Sequence, residues 1–137
     1  MRDMHNNIKV VHAITPQAVG TTGAANGKLS AVVDRQGYDS VEFVFSSGAS
    51  ATVADTINMI VYESDTATST GFVAVDDVNL LGTEDGQKLT LTEAKSGKIG
   101  YVGNKRYVGI RLYGLGTATA IVSAVAVLGK PHRSPVA

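Results

Sequence analysis

Residues 40–46 have the sequence SVEFVFS, and the alternation of their side chains predicts a β-strand. One face of this strand carries the large apolar residues Val41, Phe43 and Phe45. The opposite face carries serine, glutamate, valine and serine. Side chains in a strand alternate between its two faces, so this segment has one face suited to a core and one suited to a surface.

The same period of two recurs along the chain, in residues 56–64 (TINMIVYES) and 88–92 (KLTLT). Further strand candidates are residues 8–14, 28–34, 71–75, 97–102, 105–113 and 117–128. Glycine-rich and Asn/Asp/Ser-rich turns separate them, and no segment has a sustained helical stripe. We therefore expect an all-β fold: a single antiparallel β-sandwich or jelly-roll-like domain over residues 1–137, with extended arms at residues 1–7 and 129–137.

The composition limits the classes of function. Twelve basic and twelve acidic residues cancel, so the overall positive charge typical of a non-specific nucleic-acid binder is missing. Cysteine is absent, which excludes disulfides and thiolate chemistry. Charged residues make up 18% of the chain, against about 25% in typical domains. This low share suggests a surface partly covered by a partner, although a sparsely charged monomer fits as well.

The sequence predicts no export signal and no membrane span. Its first seven residues are polar, and it has no apolar run of the length that crosses a bilayer. We therefore expect a protein that is made in the cytoplasm of its host without a signal peptide.

Residues 117–128 differ from the other strand candidates because both of their faces are apolar or small. A strand of this kind must be covered on both faces. Two explanations stay open: a central strand with the core on one side and a loop on the other, or a strand with one face against another subunit.

Residues 100–114, GYVGNKRYVGIRLYG, concentrate glycine, tyrosine and basic residues. They lack the Ser/Thr and the following helix of a phosphate-binding loop, and their spacing differs from that of an RNA-recognition strand. A hairpin turning at Gly103 and Asn104 fits better. Its strand would turn Tyr107, Arg111 and Tyr113 outward, and Tyr and Arg are enriched at protein interfaces.

No catalytic, cofactor or metal site is predicted. The three histidines have no metal-ligand spacing, and no serine lies in a nucleophile-elbow motif. The acidic pairs at residues 76–77 and 84–85 lack the ligand ladder of a calcium loop. We expect loop charges there and no enzyme activity.

Several segments together resemble a group of small proteins from tailed bacteriophages and prophages, whose genes tend to lie with the head genes. The segments are HNNIKVVHAI (5–14), GYDSVEFVF (37–45), LLGTE (80–84), KIGYVGNKRYVGIRL (98–112) and VSAVAVLGKPHRSPVA (122–137). The resemblance implies a structural virion protein, a capsid decoration (cement) protein that bridges major capsid protein subunits on the capsid surface. It also implies a homo-oligomer, with a trimer favoured over a dimer, and no direct contact with nucleic acid.

Three groups of residues are predicted to contact these partners. They are Arg2, His5, Asn6 and Ile8 in the N-terminal arm, Tyr107, Arg111 and Tyr113 in the hairpin, and Lys130, Pro131, His132, Arg133 and Pro135 in the C-terminal arm. Proline favours extended backbone without donors, so the C-terminal group is expected to be an arm and not a strand.

Two alternatives to the decoration role stay open. One is a neck, tail or baseplate component of the virion. The other is a β-sandwich that binds a small ligand or a glycan, for which Tyr101, Tyr107 and Tyr113 would supply aromatic surface.

Overall fold

The computed structural model describes residues 3–19, 23–49, 56–90, 92–115 and 120–135. Eleven strands lie in these ranges: β1 (Ile8–Val19), β2 (Lys28–Leu29), β3 (Val33–Asp34), β4 (Tyr38–Ser47), β5 (Thr56–Ser64), β6 (Val73–Ala74), β7 (Leu80–Leu81), β8 (Leu89–Thr90), β9 (Lys95–Tyr101), β10 (Tyr107–Leu115) and β11 (Ala120–Pro131). The helices in the described part are single 3-10 turns: His5–Asn7, Ala24–Asn26, Ser69–Gly71, Asp77–Asn79 and Asp85–Gln87. None of these helices is long and apolar enough to cross a membrane.

The strands form two antiparallel sheets that pack face to face. Sheet A has the order β1-β11-β4-β9-β7. Sheet B has the order β2-β10-β5-β6, with β3 also paired to β10 and β8 to β5. The predicted all-β antiparallel sandwich is confirmed.

The core lies between the sheets and is built from the alternate residues that the sequence pattern selects. Phe43 and Phe45 of β4 are at most 1% exposed, as is Ile99 of β9. Sheet B supplies the buried residues Ile57, Met59, Val61, Val108, Ile110 and Leu112. Burying each such side chain contributes about 1.5–3 kcal/mol, so this alternation is the main source of stability.

Ser30 closes one edge of the sandwich. It lies between the short strands β2 and β3, where the predicted strand 28–34 is interrupted. Its Oγ accepts a hydrogen bond from Ile110 N at 3.0 Å and donates to Ala31 O at 2.8 Å. Ala31 N in turn donates to Ala13 O of β1 at 3.0 Å. Ser30 therefore adds a side-chain hydrogen bond to the pairing with β10, and Ala31 links this edge of sheet B to sheet A.

The predicted hairpin at Gly103 and Asn104 is wrong. Strand β9 pairs with β4 and β7 in sheet A, whereas β10 pairs with β5, β2 and β3 in sheet B. Residues 102–106 therefore cross from one sheet to the other. The local turn signal could not distinguish these outcomes, because β9 and β10 each have a more extensive partner elsewhere.

The two chain ends also differ from extended arms. Strand β11 continues through Pro131, so residues 129–131 belong to sheet A. Near the N-terminus, the Asp3 carboxylate accepts hydrogen bonds from the backbone and side-chain nitrogens of Asn6, and residues 5–7 form a 3-10 turn. Ser134 Oγ donates to Asn7 Oδ1 at 3.0 Å, so the ends meet each other.

Gly97 provides a test of core packing. A Cβ atom at this position would lie 2.7 Å from the ring of the buried Phe45. We expect Gly97→Ala to lower the free energy of unfolding by about 1–3 kcal/mol, because overpacking forces the ring from its position. Gly48→Ala is the matched control, since its Cβ would meet only Ile121 O at 3.9 Å. Urea denaturation measures both, and equal stabilities would contradict this packing.

Candidate functional site

A cleft opens at one end of the sandwich, where the start of β4 meets the end of β11. The antiparallel register places Tyr38 directly opposite Pro131. Before Tyr38 the chain makes a tight turn, in which Tyr38 N donates to Arg35 O at 3.0 Å and Gly37 has a φ of 87°. After Pro131, His132 N donates to Gly37 O at 2.9 Å, which fixes the C-terminal segment against the turn.

Two adjoining cavities share this turn. The larger, which we call the C-terminal cleft, has a volume of about 650 Å³. It is lined by Lys9, Gln36, Gly37, Tyr38, Pro131, His132, Arg133 and Pro135. The smaller cavity, about 310 Å³, shares Gln36, Gly37, Tyr38 and His132 with the cleft and adds Arg35, Asp39, Asn104 and Arg106. One aromatic ring, that of Tyr38, borders both cavities.

The C-terminal cleft combines apolar walls with polar groups at its rim. Tyr38 is half-buried and packs against the core, so the core supports its ring from behind. Lys9 and Arg133 are exposed and form no ion pair within the described residues. His132 Nε2 lies 2.8 Å from Asp39 Oδ1. The cleft thus offers an aromatic face, two proline rings and several hydrogen-bonding side chains.

An ion pair borders the smaller cavity. Arg106 donates from Nε and Nη2 to the two carboxylate oxygens of Asp34, at 2.9 and 2.6 Å. This bidentate contact holds the pKa of Asp34 below its usual value. Asp34 Oδ1 also accepts from Gln36 N at 3.0 Å, which secures the start of the turn.

The crossover segment forms the far wall of the smaller cavity, and Tyr101 anchors it. This tyrosine is 1% exposed. Its hydroxyl donates to Glu63 Oε2 at 2.5 Å and accepts from Lys105 N at 2.9 Å. Arg35 lies over the Tyr101 ring, 5.3 Å from its centroid, and donates to Gly103 O and Lys105 O at 2.8 and 2.6 Å. These bonds satisfy the polar groups of a segment that leaves both sheets.

Burial, followed by the hydrogen bond to Glu63, raises the pKa of Tyr101 from 10.0 to about 12. The neutral hydroxyl is therefore favoured in the folded protein. Tyr101 cannot serve as an exposed aromatic surface, so the glycan alternative loses this residue.

The predicted outward face of β10 is half-covered by its own chain. Phe72 stacks on Tyr62 with ring centroids 5.8 Å apart, and its ring also occupies the space above Gly109. Arg111 lies over Tyr62 at 5.3 Å from the ring centroid and donates to Ala24 O at 3.1 Å. Burial raises the pKa of Tyr113. The absence of a side chain at Gly109 therefore makes room for the Phe72 ring of the same chain.

The structure brings together some of the predicted contact residues and separates others. Pro131, His132, Arg133 and Pro135 all line the C-terminal cleft. Lys130 is exposed beside it with a φ of 51°. His5 and Asn6 are exposed and Ile8 is half-buried at the start of β1. Tyr107, Arg111 and Tyr113 lie on sheet B. Arg2 lies outside the described residues.

Sequence reasoning missed Tyr38, Gln36 and Lys9 as lining residues of the cleft. The turn at residues 35–37 has a sequence signal, but nothing local indicates that the start of β4 lies beside the end of β11. That proximity depends on a pairing between segments about ninety residues apart, which is set by tertiary packing.

Within the described ranges, no group of three or more His, Cys, Asp or Glu side chains is placed to hold a metal ion. The His132–Asp39 pair lies near Lys9, Arg133 and the Tyr38 ring. These side chains are suited to binding a ligand by packing and hydrogen bonds.

No family model and no curated protein matches this sequence. Solved structures share the fold. One is the CBM22-1 xylan-binding domain of Xyn10C from Paenibacillus barcinonensis, with a TM-score of 0.51 and 13% identity over 96% of this chain and 87% of that chain. Another is the CBM22-1–GH10 portion of endo-1,4-beta-D-xylanase 10B from Clostridium thermocellum in complex with xylohexaose, with a TM-score of 0.53 and 11% identity over 92% of this chain.

The match spans 25% of the chain length of the xylanase structure. At these identities the likeness shows a common β-sandwich fold.

Tyr101→Phe tests the anchor of the crossover. Removing the hydroxyl leaves Lys105 N and the Glu63 carboxylate without this partner, so we expect a loss of about 1–3 kcal/mol at neutral pH. In the wild type, the unfolded state loses the Tyr101 proton near pH 10 while the folded state keeps it to about pH 12. The stability that Tyr101 contributes is therefore complete below about pH 10 and falls up to about pH 12.

Denaturation at pH 8, 10 and 11.5 measures this dependence. Tyr101→Phe is expected to lose less stability over that interval than the wild type, and Tyr107→Phe serves as the matched tyrosine control. Identical pH profiles for Tyr101→Phe and the wild type would contradict the assignment.

Proposed function

We propose that this chain is a non-catalytic binding module that takes a short stretch of saccharide chain in the C-terminal cleft. The observation that carries the proposal is the Tyr38 ring, supported from behind by the core and bordered by polar side chains in an open cavity of about 650 Å³. Ligand sites are commonly concavities of about 300–1,000 Å³ with apolar walls and a few polar groups that set orientation.

The chemistry of the lining matches that of a sugar. A pyranose ring has an apolar face of C–H groups, which packs on an aromatic ring, and a rim of hydroxyls that need donors and acceptors. Tyr38, Pro131 and Pro135 supply apolar surface, and Gln36, Lys9 and Arg133 supply hydrogen-bonding groups. Tyrosine contributes contact area at a low cost in conformational entropy.

The comparisons support this proposal at the level of fold. A xylan-binding domain and a xylanase structure in complex with xylohexaose share the sandwich with this chain. Xylan and its oligosaccharides are therefore the first ligands to test, followed by other soluble polysaccharides.

Calorimetric titration with xylohexaose and soluble xylan tests the cleft. We expect binding by the wild type and a loss of about tenfold or more in affinity for Tyr38→Ala, since the stacked ring contributes on the order of 1.4 kcal/mol. Gln36→Ala changes an exposed residue and is expected to weaken binding without loss of fold.

Tyr113→Ala is the control, because this tyrosine lies on sheet B away from the cleft. A weakening that is equal for Tyr113→Ala and Tyr38→Ala would place the ligand elsewhere. Absence of binding to every soluble polysaccharide in a broad panel would overturn the proposal.

A second candidate function is that of a structural virion subunit, which the resemblance to phage head-gene proteins implies. The observation that favours it is the outer face of sheet A, where Val10, which is 59% exposed, pairs with Val127 of the neighbouring strand. Contiguous exposed apolar surface of this kind marks sites of protein contact. A decoration protein would stabilise the capsid by binding its assembled form only.

Co-sedimentation with phage heads that lack this protein tests the second candidate. If it decorates capsids, the wild type is expected to join the heads in a fixed ratio that saturates at hundreds of copies. A dozen or fewer copies would indicate a neck or tail position. No co-sedimentation with such heads would contradict a virion role.

A further inference from the structure

The outer face of sheet A is apolar at its centre, where three half-buried valines lie beside the exposed Val10. Val125 and Val127 of β11 and Val44 of β4 lie side by side on it. Val10 of β1 pairs with Val127, which extends the patch across a third strand. Of the two apolar faces of residues 120–128, one therefore belongs to the core and the other lies on the outside of sheet A.

Two opposite charges flank the valines. Glu42 lies two residues before Val44 on β4, and Lys98 lies directly opposite Val44 on β9. The Glu42 carboxylate leans over Gly100, where a Cβ atom would come within 2.8 Å of Oε2. Neither Glu42 nor Lys98 forms a side-chain hydrogen bond or an ion pair with another described residue.

We propose that this face binds a second copy of the chain through a two-fold axis that passes between Val44 and Val125. The register supports this placement. The axis lies in the plane of the interface, along a diagonal line that crosses β11 and β4 midway between the two valines, and Glu42 and Lys98 lie on opposite sides of this line. A two-fold rotation about that line exchanges the two sides, so Glu42 of each copy faces Lys98 of the partner subunit. The valines near the axis then meet their own counterparts, as an isologous interface requires.

The size of the face suits a stable pair. Strands β4 and β11 contain 10 and 12 residues, which corresponds to about 33–40 Å at ~3.3 Å per residue. Four strands spaced ~4.8 Å apart give a width of about 15–19 Å. The projected area is about 600 Å², close to the ~800 Å² of accessible surface that each partner contributes to a standard interface.

The two opposite charges on this face favour a copy of this chain over an unrelated apolar partner. An apolar partner would bury Glu42 and Lys98 without compensation, which is unfavourable. A second copy supplies both counter-charges at once. This geometry indicates a dimer, in contrast to the trimer that the phage resemblance implies.

Light scattering coupled to size exclusion tests the interface by charge reversal. The wild type is expected to have twice the 14.2 kDa mass of the chain. Glu42→Lys and Lys98→Glu each place like charges in contact, so each is expected to raise the dissociation constant at least about tenfold. The double variant E42K/K98E restores opposite charges and is expected to restore the dimer.

A matched pair of apolar substitutions provides an independent measurement. Val125→Lys places a charge in the centre of the face and is expected to give a monomer. Val73→Lys changes a valine that is 67% exposed on sheet B, and it is expected to leave the mass unchanged. Circular dichroism shows whether each variant is folded.

A monomeric or trimeric wild type would overturn the proposal. So would a dimer whose mass is insensitive to Val125→Lys, or one that E42K/K98E fails to restore. The xylan titration tests the C-terminal cleft and not the dimer interface. The light-scattering result therefore neither supports nor contradicts the saccharide proposal.

Discussion

The antiparallel pairing of β4 with β11 is the constraint on which both proposed binding surfaces depend. Its register places Tyr38 opposite Pro131 at one end, which forms the C-terminal cleft, and Val44 opposite Val125 in the middle, which forms the apolar outer face. A slip of one residue would turn the core side chains Phe43 and Phe45 outward, at a cost of several kcal/mol. Core packing therefore fixes the cleft and the outer face together.

The route from β9 to β10 explains how this pairing fits within a sandwich. The chain leaves sheet A at Tyr101 and enters sheet B at Tyr107. A segment that passes between two sheets has no neighbouring strand to bond with. Its backbone N–H and C=O groups therefore need other hydrogen-bond partners where water is excluded. The Tyr101 hydroxyl and the Arg35 guanidinium supply them through Lys105 N, Gly103 O and Lys105 O. The same crossover borders the smaller cavity beside the C-terminal cleft, so the side chains that permit the fold also shape the site.

The alternation of side chains in the sequence predicted the strands and their core residues. It did not predict features that depend on pairing between distant segments. Alternation in residues 40–46 identified Val41, Phe43 and Phe45 as core residues, and all three are buried. The two-sided apolar character of residues 120–128 was equally visible. The choice between a hairpin and a crossover at residues 103–104 was not, because glycine and asparagine suit both. Tyr38 had no local signal as a lining residue, since its partner Pro131 lies about ninety residues away. The C-terminal segment was expected to extend as an arm for the same reason. Its hydrogen bond from His132 N to Gly37 O joins residues that are far apart in the sequence.

The cleft and the outer face lie on different parts of the molecule, and their chemistries differ accordingly. The cleft has an aromatic ring and polar side chains that can exchange bonds with water when empty, so an isolated domain tolerates it at little cost. The outer face has valines and two charges without an ion-pair partner in the described part of the chain, and exposure of that apolar area to water is unfavourable. The energetic case for a partner is therefore stronger at the outer face, whereas the case for a soluble ligand rests on shape and hydrogen bonding at the cleft.

A dimer formed through sheet A would leave both clefts open at the ends of the sandwiches. If the cleft binds saccharide as proposed, two weak sites on one dimer would bind a long chain more tightly than either site alone, because the second contact is intramolecular. Self-association and ligand binding are in this way compatible, and the first would strengthen the second.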